Sequence, residues 1–381
     1  MDTWRGFDLT KRKEKIRRAF ERAPLTDAEM LPIVIGTPCY FGFGSKPRPR
    51  EYWEDPKVMV DFQETSYEAH LSQINDDFVP YFMPWFGTGV LASAFGSKIK
   101  PATGNGDDPA VANIAINDVS DIARLRLPDP YSSGWMPKVV EFIEYAKRHS
   151  DLPIGLTDMN SPLSTACQLC GYENFFIWMY EEPEAIRDLM AMITEALIQW
   201  TRLQKQLAGE PLDSSSGLQG LWSPAAGIWL SDDDLVTIGP EQYEEFIVPH
   251  YSRIFTEFGG GILHFCGKGL HQADNILKIE NVRAVNNSPM GQYDIFTRFV
   301  DKVGYGKLSI VIQDGVPEDM LTYYTRLFEN ISDFRGFMFA TFLLDDYAVD
   351  EVGGLVPVKR DPVITANEFV RIVRECVARK L

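Results

Sequence analysis

The sequence predicts an α/β fold, a (β/α)8 barrel preceded by an N-terminal helical extension, and three observations lead there. Short apolar runs alternate with longer segments of helical period along most of the chain. Eight of the runs read as strands, the number a closed parallel barrel needs. No long Gly/Ser/Pro linker and no solenoid-length repeat divides the 381 residues, so one domain is the economical account. Residues 1–30 read as the extension and residues 31–381 as the barrel domain.

The expected strands are Leu31–Pro38, Val79–Trp85, Leu152–Asp158, Gly217–Trp222, Gly261–Cys266, Val282–Asn287, Leu308–Gln313 and Gly336–Thr341. The fourth carries the weakest signal, because glycines interrupt its alternation. Helices fall between them. Asp55-Pro56, Glu182-Pro183-Glu184 and Gly239-Pro240-Glu241 each place proline at a first helical turn. Ile186, Leu189, Met190, Ile193, Leu197, Trp200 and Leu203 then mark a long amphipathic helix over Pro183–Leu207. Thr365–Lys380 closes the chain in the same way. Gly96–Pro130 is the most irregular stretch and reads as an excursion after the second strand.

Composition narrows the function. The apolar fraction of 45% with 24% charged residues is that of a globular protein. A net charge of −17 argues against nucleic acid, which needs a concentrated positive surface. The basic run Lys11–Arg18, with Ile16, Phe20 and Leu25 as a sparse apolar side, reads as a solvated helix, or as a docking surface for an acidic partner. No apolar stretch reaches the roughly 18 residues of a membrane helix. The first residues lack a signal-peptide core, and five scattered cysteines suit a reducing compartment. A cytoplasmic protein without membrane contact is the expectation.

In such a barrel the active site lies where the strands end. Those ends supply Trp85, Asp158, Asn160, Trp222, His264, Cys266, Asn286, Asn287, Gln313, Asp314 and Thr341. Polar groups recurring at the ends of buried strands are hard to explain by packing alone, although turns and caps account for some. The sharpest feature is His264-Phe265-Cys266-Gly267. Positions i and i+2 of a strand share a side, so His264 and Cys266 project together, and imidazole and thiolate both ligate zinc. Two ligands do not complete a catalytic site. The alternative is a buried, hydrogen-bonded histidine beside a small apolar cysteine. Cys167-x-x-Cys170 shares a helix face and suits redox or metal chemistry, but its apolar flanks favour core packing. Gly87-Thr88-Gly89-Val90-Leu91-Ala92 imitates a dinucleotide fingerprint without the helix and acidic strand end that motif requires.

Several motifs resemble the uroporphyrinogen decarboxylase-like superfamily, which includes corrinoid-dependent methyltransferases. The His-x-Cys-Gly at a strand end is similar to His264-Phe265-Cys266-Gly267. Gly227–Asp234, Gly239–Tyr243 and Ile247–Pro249 resemble its acidic loop, Pro-Glu helix start and helix-end proline. Ser161–Ser164, Glu181–Glu184 and Glu51–Pro56 resemble further elements in the same order. Two departures matter. Tyr81-Phe82-Met83-Pro84-Trp85-Phe86 lacks the aspartate of true uroporphyrinogen decarboxylases, and the early arginines are only Arg48 and Arg50. Phe337–Asp345 lacks the third cysteine of the coenzyme M methyltransferases. Substitutes for that ligand are Asp314, the cluster Asp232–Asp234, or Cys167 and Cys170.

The resemblance lies nearer the methyltransferase branch. It implies transfer of a methyl group between a small methylated compound, a methyl ether or methylamine, and a corrinoid cofactor or a separate corrinoid protein. A homodimer is compatible with it. An oxygen or nitrogen leaving group must be protonated or bound to a Lewis acid before displacement. His264, Asp232 and Asp314 are the expected catalytic residues, and His264 with Cys266 the expected zinc ligands. Trp85, Trp222, Trp229, Tyr40, Asn160 and Asn286 are the expected substrate contacts, the aromatic ones suiting an aromatic ether or a quaternary amine. The rivals are a decarboxylase-type carbon–carbon lyase and a non-catalytic tetrapyrrole or corrinoid binder.

Overall fold

Six parallel strands make the central sheet: β1 (Ile33–Ile35), β2 (Ile228–Ser231), β3 (Gly261–His264), β4 (Val282–Asn287), β5 (Ser309–Ile312) and β6 (Phe337–Thr341). Their spatial order is β1-β6-β5-β4-β3-β2. The structure is a computed structural model, and it describes residues 2–36, 48–104, 107–289, 292–343, 347–349 and 355–381. The registers set Ile35 opposite Thr341, Ile312 opposite Phe339, Asn286 opposite His264, and His264 opposite Ser231, with a shift between Val282 and Ala284 of β4. β1, β3, β5 and β6 are buried on both sides, as a parallel sheet under helices requires, and β2 and β4 are half-buried only at one end.

Two extended segments complete the ring with little ladder of their own. Parallel bridges join Asn160 to Ser231 and Phe82 to Ile154. The seam back to β1 is closed largely by side chains. The Asp77 N–H donates to Ile33 O at 2.7 Å, and the carboxylates of Asp77 and Asp76 accept the N–H groups of Ile33 and Ile35 at 3.0 and 2.8 Å. Two buried aspartates thus satisfy backbone donors that a neighbouring strand would otherwise satisfy. The eight-membered (β/α) ring is the predicted fold.

The fourth stave is not the predicted one. Ile228–Ser231 holds that place, and the expected strand Gly217–Trp222 belongs to an antiparallel hairpin pairing Ser215–Gly217 with Leu221–Ser223. Glycine decides it. Gly220 turns at φ +84, and a Cβ on Gly217 would lie 1.9 Å from the Trp229 indole nitrogen, so only a residue without a side chain fits there. Hydrogen bonds from Tyr81 Oη to Gly217 O at 2.7 Å and from Leu156 N–H to Ser216 O at 3.1 Å tie the hairpin to the second and third staves.

Helices cover the ring. α1 (Thr10–Phe20) lies at the N-terminal ends of the strands, where Ser309 Oγ donates to Ala19 O. Ile16 and Phe20 are buried as predicted, but the basic run is not simply solvated. Lys15, 5% exposed, pairs with Asp77 at 2.8 Å, and Arg12 with Asp76 at 3.1 Å. α2 (Pro162–Cys170) follows the third stave, and α3 (Pro183–Ala208) ends at Gly209 in the left-handed region, φ 75. Ile186, Leu189, Met190, Ile193, Leu197 and Trp200 of α3 are all buried. The irregular stretch after the second stave contains a hairpin of Ile99–Lys100 with Ala110–Val111 and a 3-10 turn over Val119–Arg124. Among the described residues no helix is long and apolar enough to cross a membrane.

Candidate active site

The C-terminal ends of β2, β3 and β4 bring three chemistry-bearing side chains together. Ser231 of β2, His264 of β3 and Asn286 of β4 are register partners, so whatever follows Ser231 with the same phase faces His264. That residue is Asp233. Its Oδ1 lies 3.5 Å from His264 Nε2 and accepts the Cys266 N–H at 2.7 Å. Cys266 Sγ is 3.7 Å from the same Nε2. One ligand atom each from Asp233, His264 and Cys266 falls within 4.8 Å of the others.

Neighbouring groups set the state of the histidine. Asn286 Nδ2 donates to Val311 O at 3.0 Å, which leaves its Oδ1 to face His264 Nδ1 at 2.5 Å. That nitrogen therefore carries the proton, and the Nε2 lone pair points at Cys266 and Asp233. Burial holds His264 below the usual imidazole range against the pull of Asp233 and Asn286, so the ring is neutral near pH 7. Desolvation of the sulfur, and then the charge of Asp233, push the Cys266 thiol up to about 12. A neutral imidazole held by an amide, a thiol and a carboxylate fit a divalent metal such as zinc, whose charge brings a coordinating thiol to thiolate.

The other expected catalytic carboxylates sit below this rim. Asp232, one residue out of phase with Asp233, is fully buried and turned toward the helices. It accepts Ser161 Oγ at 2.9 Å and Tyr243 Oη at 3.0 Å, and its N–H donates to His264 O at 2.8 Å. Burial, opposed by hydrogen bonds from Tyr251, Ser161 and Tyr243, pushes its carboxyl up to about 7. Asp314, 1% exposed, accepts Ser288 Oγ at 3.3 Å, while Thr341 Oγ1 bonds its backbone carbonyl.

Asp158 is different. Strand alternation turns Met159 outward to Gln204 of α3 and Asp158 inward. It is 9% exposed, and its Oδ1 has no hydrogen-bond partner. Burial, then the charges of Asp233 and Asp108, push it up to about 8. Asn160, two residues on and 7% exposed, likewise leaves Nδ2 without a partner. Thr157 Oγ1 donates to Pro84 O at 2.7 Å, so the strand ends that carry Trp85 and Asp158 are joined one residue before each. The Trp85 indole N–H goes to Asp108 at 2.6 Å, and Arg48, 2% exposed, pairs with the same carboxylate at 2.7 Å.

The expected substrate contacts therefore divide. Trp85 and Asn160 stand at the mouth. Asn286 orients His264 from behind. Trp222 lies under Lys13 of α1, 5.2 Å from ring centroid to nitrogen, on the hairpin side away from His264. Trp229 is 2% exposed and packed on Gly217. Tyr40, with Phe41 and Cys39, lies outside the described residues. Cys167 and Cys170 are 3% and 0% exposed in α2, and burial raises both thiols, Cys170 to about 12.

Comparison with known proteins agrees with this architecture. Residues 45–211 match the family described as Uroporphyrinogen decarboxylase (URO-D). Arg48, Trp85, Asp108, Asp158 and Asn160 fall inside the matched stretch, whereas Asp233, His264 and Cys266 lie beyond it. The uroporphyrinogen decarboxylases of Syntrophotalea carbinolica and Carboxydothermus hydrogenoformans are each 24% identical over 39% and 42% of this chain. The aligned regions span only 41% and 43% of those proteins. A solved methyltransferase from Methanosarcina mazei superposes over 94% of this chain and 98% of its own, with a TM-score of 0.66 and 14% identity. At that identity the likeness is one of fold.

Proposed function

We propose that the protein is a methyltransferase that moves a methyl group between a small methylated compound and a corrinoid, free or carried on a partner protein docked at the strand ends. The observation that carries the reading is the convergence of Asp233, His264 and Cys266 on one point of the rim, with Asn286 fixing the imidazole tautomer. The M. mazei methyltransferase supports it through the shared fold.

In this reading Asp233, His264 and Cys266 hold zinc, which when bound supplies a Lewis acid for the leaving atom. His264 presents Nε2 and keeps its proton on Nδ1. Asp232 is a positioning residue. Ser161 and Tyr243 hold its carboxyl, and its backbone N–H ties the 232–234 turn to His264 O, so Asp233 is aimed at the mouth. Asp314 is assigned the same kind of role under the β5 end. The residues 1–30 act as an extension that seats the barrel, and a homodimer remains compatible with it.

Methylated compounds offered with cob(I)alamin test this through the visible absorbance change on methylation. Transfer with at least one ether or amine, together with near-stoichiometric zinc, is the expected result. Zinc below about a tenth of an equivalent in fully active, chelator-free protein removes the metal from the reading. Release of carbon dioxide from a carboxylated tetrapyrrole, without methyl transfer, replaces the reading with a decarboxylase.

A further inference from the structure

Across the mouth from His264 the fold leaves a buried carboxyl unsatisfied. Asp158 enters no ion pair among the described residues, and its Oδ1 accepts no hydrogen bond. The Arg48 guanidinium is engaged by Asp108, which also takes the Trp85 N–H. The charges that Asp158 feels are Asp233 and Asp108, both of its own sign. Buried polar groups are nearly always paired, and an unpaired one in a cleft marks a place where a ligand completes the set.

The partner that would stabilise the ionised carboxylate is a donor, and best a cation. An anionic ligand would meet Asp158 and Asp233 together. A neutral acceptor, such as an ether oxygen, would take a hydrogen bond from the protonated carboxyl and make no use of its negative charge. An alkylammonium ion supplies positive charge and an N–H, and the neighbouring indole of Trp85 favours a cation by its quadrupole. Asn160, two residues on and on the same side of the strand, leaves a donor, Nδ2, without a partner, and that group needs an acceptor other than the cation.

We propose that Asp158, with Trp85 and Asn160 beside it, is the binding site for an alkylammonium head group, so that the substrate is a methylated amine in its protonated form. The choice of a methyl donor rests on the methyl-transfer reading; the cation site does not. In the transfer, the C–N bond of the ammonium breaks with its electron pair going to nitrogen. The methyl carbon bonds to the reduced corrinoid acceptor, and the amine leaves with its proton still hydrogen-bonded to Asp158. No added acid is required.

Calorimetric titration of the full chain with trimethylammonium, tert-butanol as a neutral body of similar shape, and 2-methoxyphenol tests the site. Trimethylammonium is expected to bind at least about tenfold more tightly than tert-butanol, and Asp158→Asn to remove most of that preference. The wild-type selectivity is decisive by itself, so a poorly folded variant does not obscure the answer. Equal binding of the two, or tight binding of 2-methoxyphenol alone, overturns the cation site. Asp158-dependent trimethylammonium binding without methyl transfer to cob(I)alamin leaves the cation site standing and overturns the transfer reading instead.

Discussion

The two ends of the barrel bury aspartates in opposite ways. At the N-terminal end, Asp76 accepts from His70 Nε2 at 3.0 Å, Arg12 at 3.1 Å and the Ile35 N–H at 2.8 Å. Asp77 accepts from Lys15 at 2.8 Å, Arg374 at 3.0 Å and the Ile33 N–H at 3.0 Å. At the C-terminal end, Asp158 is enclosed almost as well, yet its Oδ1 meets no donor. Burial alone would raise all three. His70, Arg12 and Ile35 hold Asp76 below the usual carboxylate range, burial keeps Asp77 above it even against Lys15 and Arg374, and Asp158, with no such partner, rises to about 8. Enclosure is thus shared, and pairing is what separates a carboxylate that builds the fold from one that waits for a ligand.

The largest effect expected from this contrast is at the satisfied end. Asp76→Asn strands Arg12, His70 and a backbone donor in the core, and breaking a buried pair costs about 3–5 kcal/mol. The native Asp76 has a depressed value, so its stabilisation is present above the unfolded aspartate range and is lost as pH falls through its folded value. Denaturant titrations of wild type and variant should therefore differ most near pH 7 and converge in acid. A neutral substitution with no change in midpoint breaks the comparison at its stronger end.

At the C-terminal rim the losses should appear in chemistry instead. His264→Ala is expected to lower methyl transfer by about 10²-fold or more, and to lose bound zinc, while the denaturation midpoint stays close to wild type. Full zinc content and rate in this variant would move the site away from β3.

Asp158→Asn sharpens the contrast, because its sign is reversed. An unfolded aspartate ionises near about pH 4, while the folded one stays protonated up to about 8. Between those values the unfolded state gains free energy by ionising and the native state does not, so Asp158 destabilises the fold increasingly from pH 4 to 8. The asparagine variant should gain stability steadily over wild type as pH rises from 4 to 7.5, a gain that vanishes below pH 4. A loss of stability at pH 7.5 would put Asp158 with Asp76, as a structural group.

Much of this was legible in the sequence, and the failures share a cause. Seven staves lie where apolar runs end in polar residues. The fourth was misplaced because Gly217–Trp222 and Ile228–Ser231 are both short apolar pieces between glycines, and only the contact of Gly217 with the Trp229 indole tells them apart. That slip cost the phase of the acidic turn. Counted from β2, Asp233 shares the side of Ser231 and Asp232 does not, so the right strand would have pointed to Asp233 as the neighbour of His264. His264 and Cys266 survived because their i, i+2 spacing needs no neighbour. The role of Lys15 was not legible, since its partner Asp77 is also held by Arg374, 297 residues away from it. Asp158 was visible as a strand end, but the absence of a partner is a property of three dimensions.

The smallest expected effect concerns the cysteine pair of α2, which the spacing Cys-x-x-Cys offered as a rival site. Cys170 is fully enclosed, and its thiol is pushed up to about 12 by burial alone. A thiolate, the form that ligates metal or attacks a disulfide, is thereby disfavoured. Cys167 lies near Asp232 and Asp234, whose charges raise it further. Both behave as small apolar side chains packed beneath the mouth. Cys170→Ala removes one buried sulfur and should lower stability by about 1 kcal/mol or somewhat more, leaving the rate per folded molecule near wild type. Measuring turnover against the folded fraction, taken from the same denaturation curve, separates the two quantities. A variant that is as stable as wild type but inactive would transfer the chemistry from the rim at His264 to this helix.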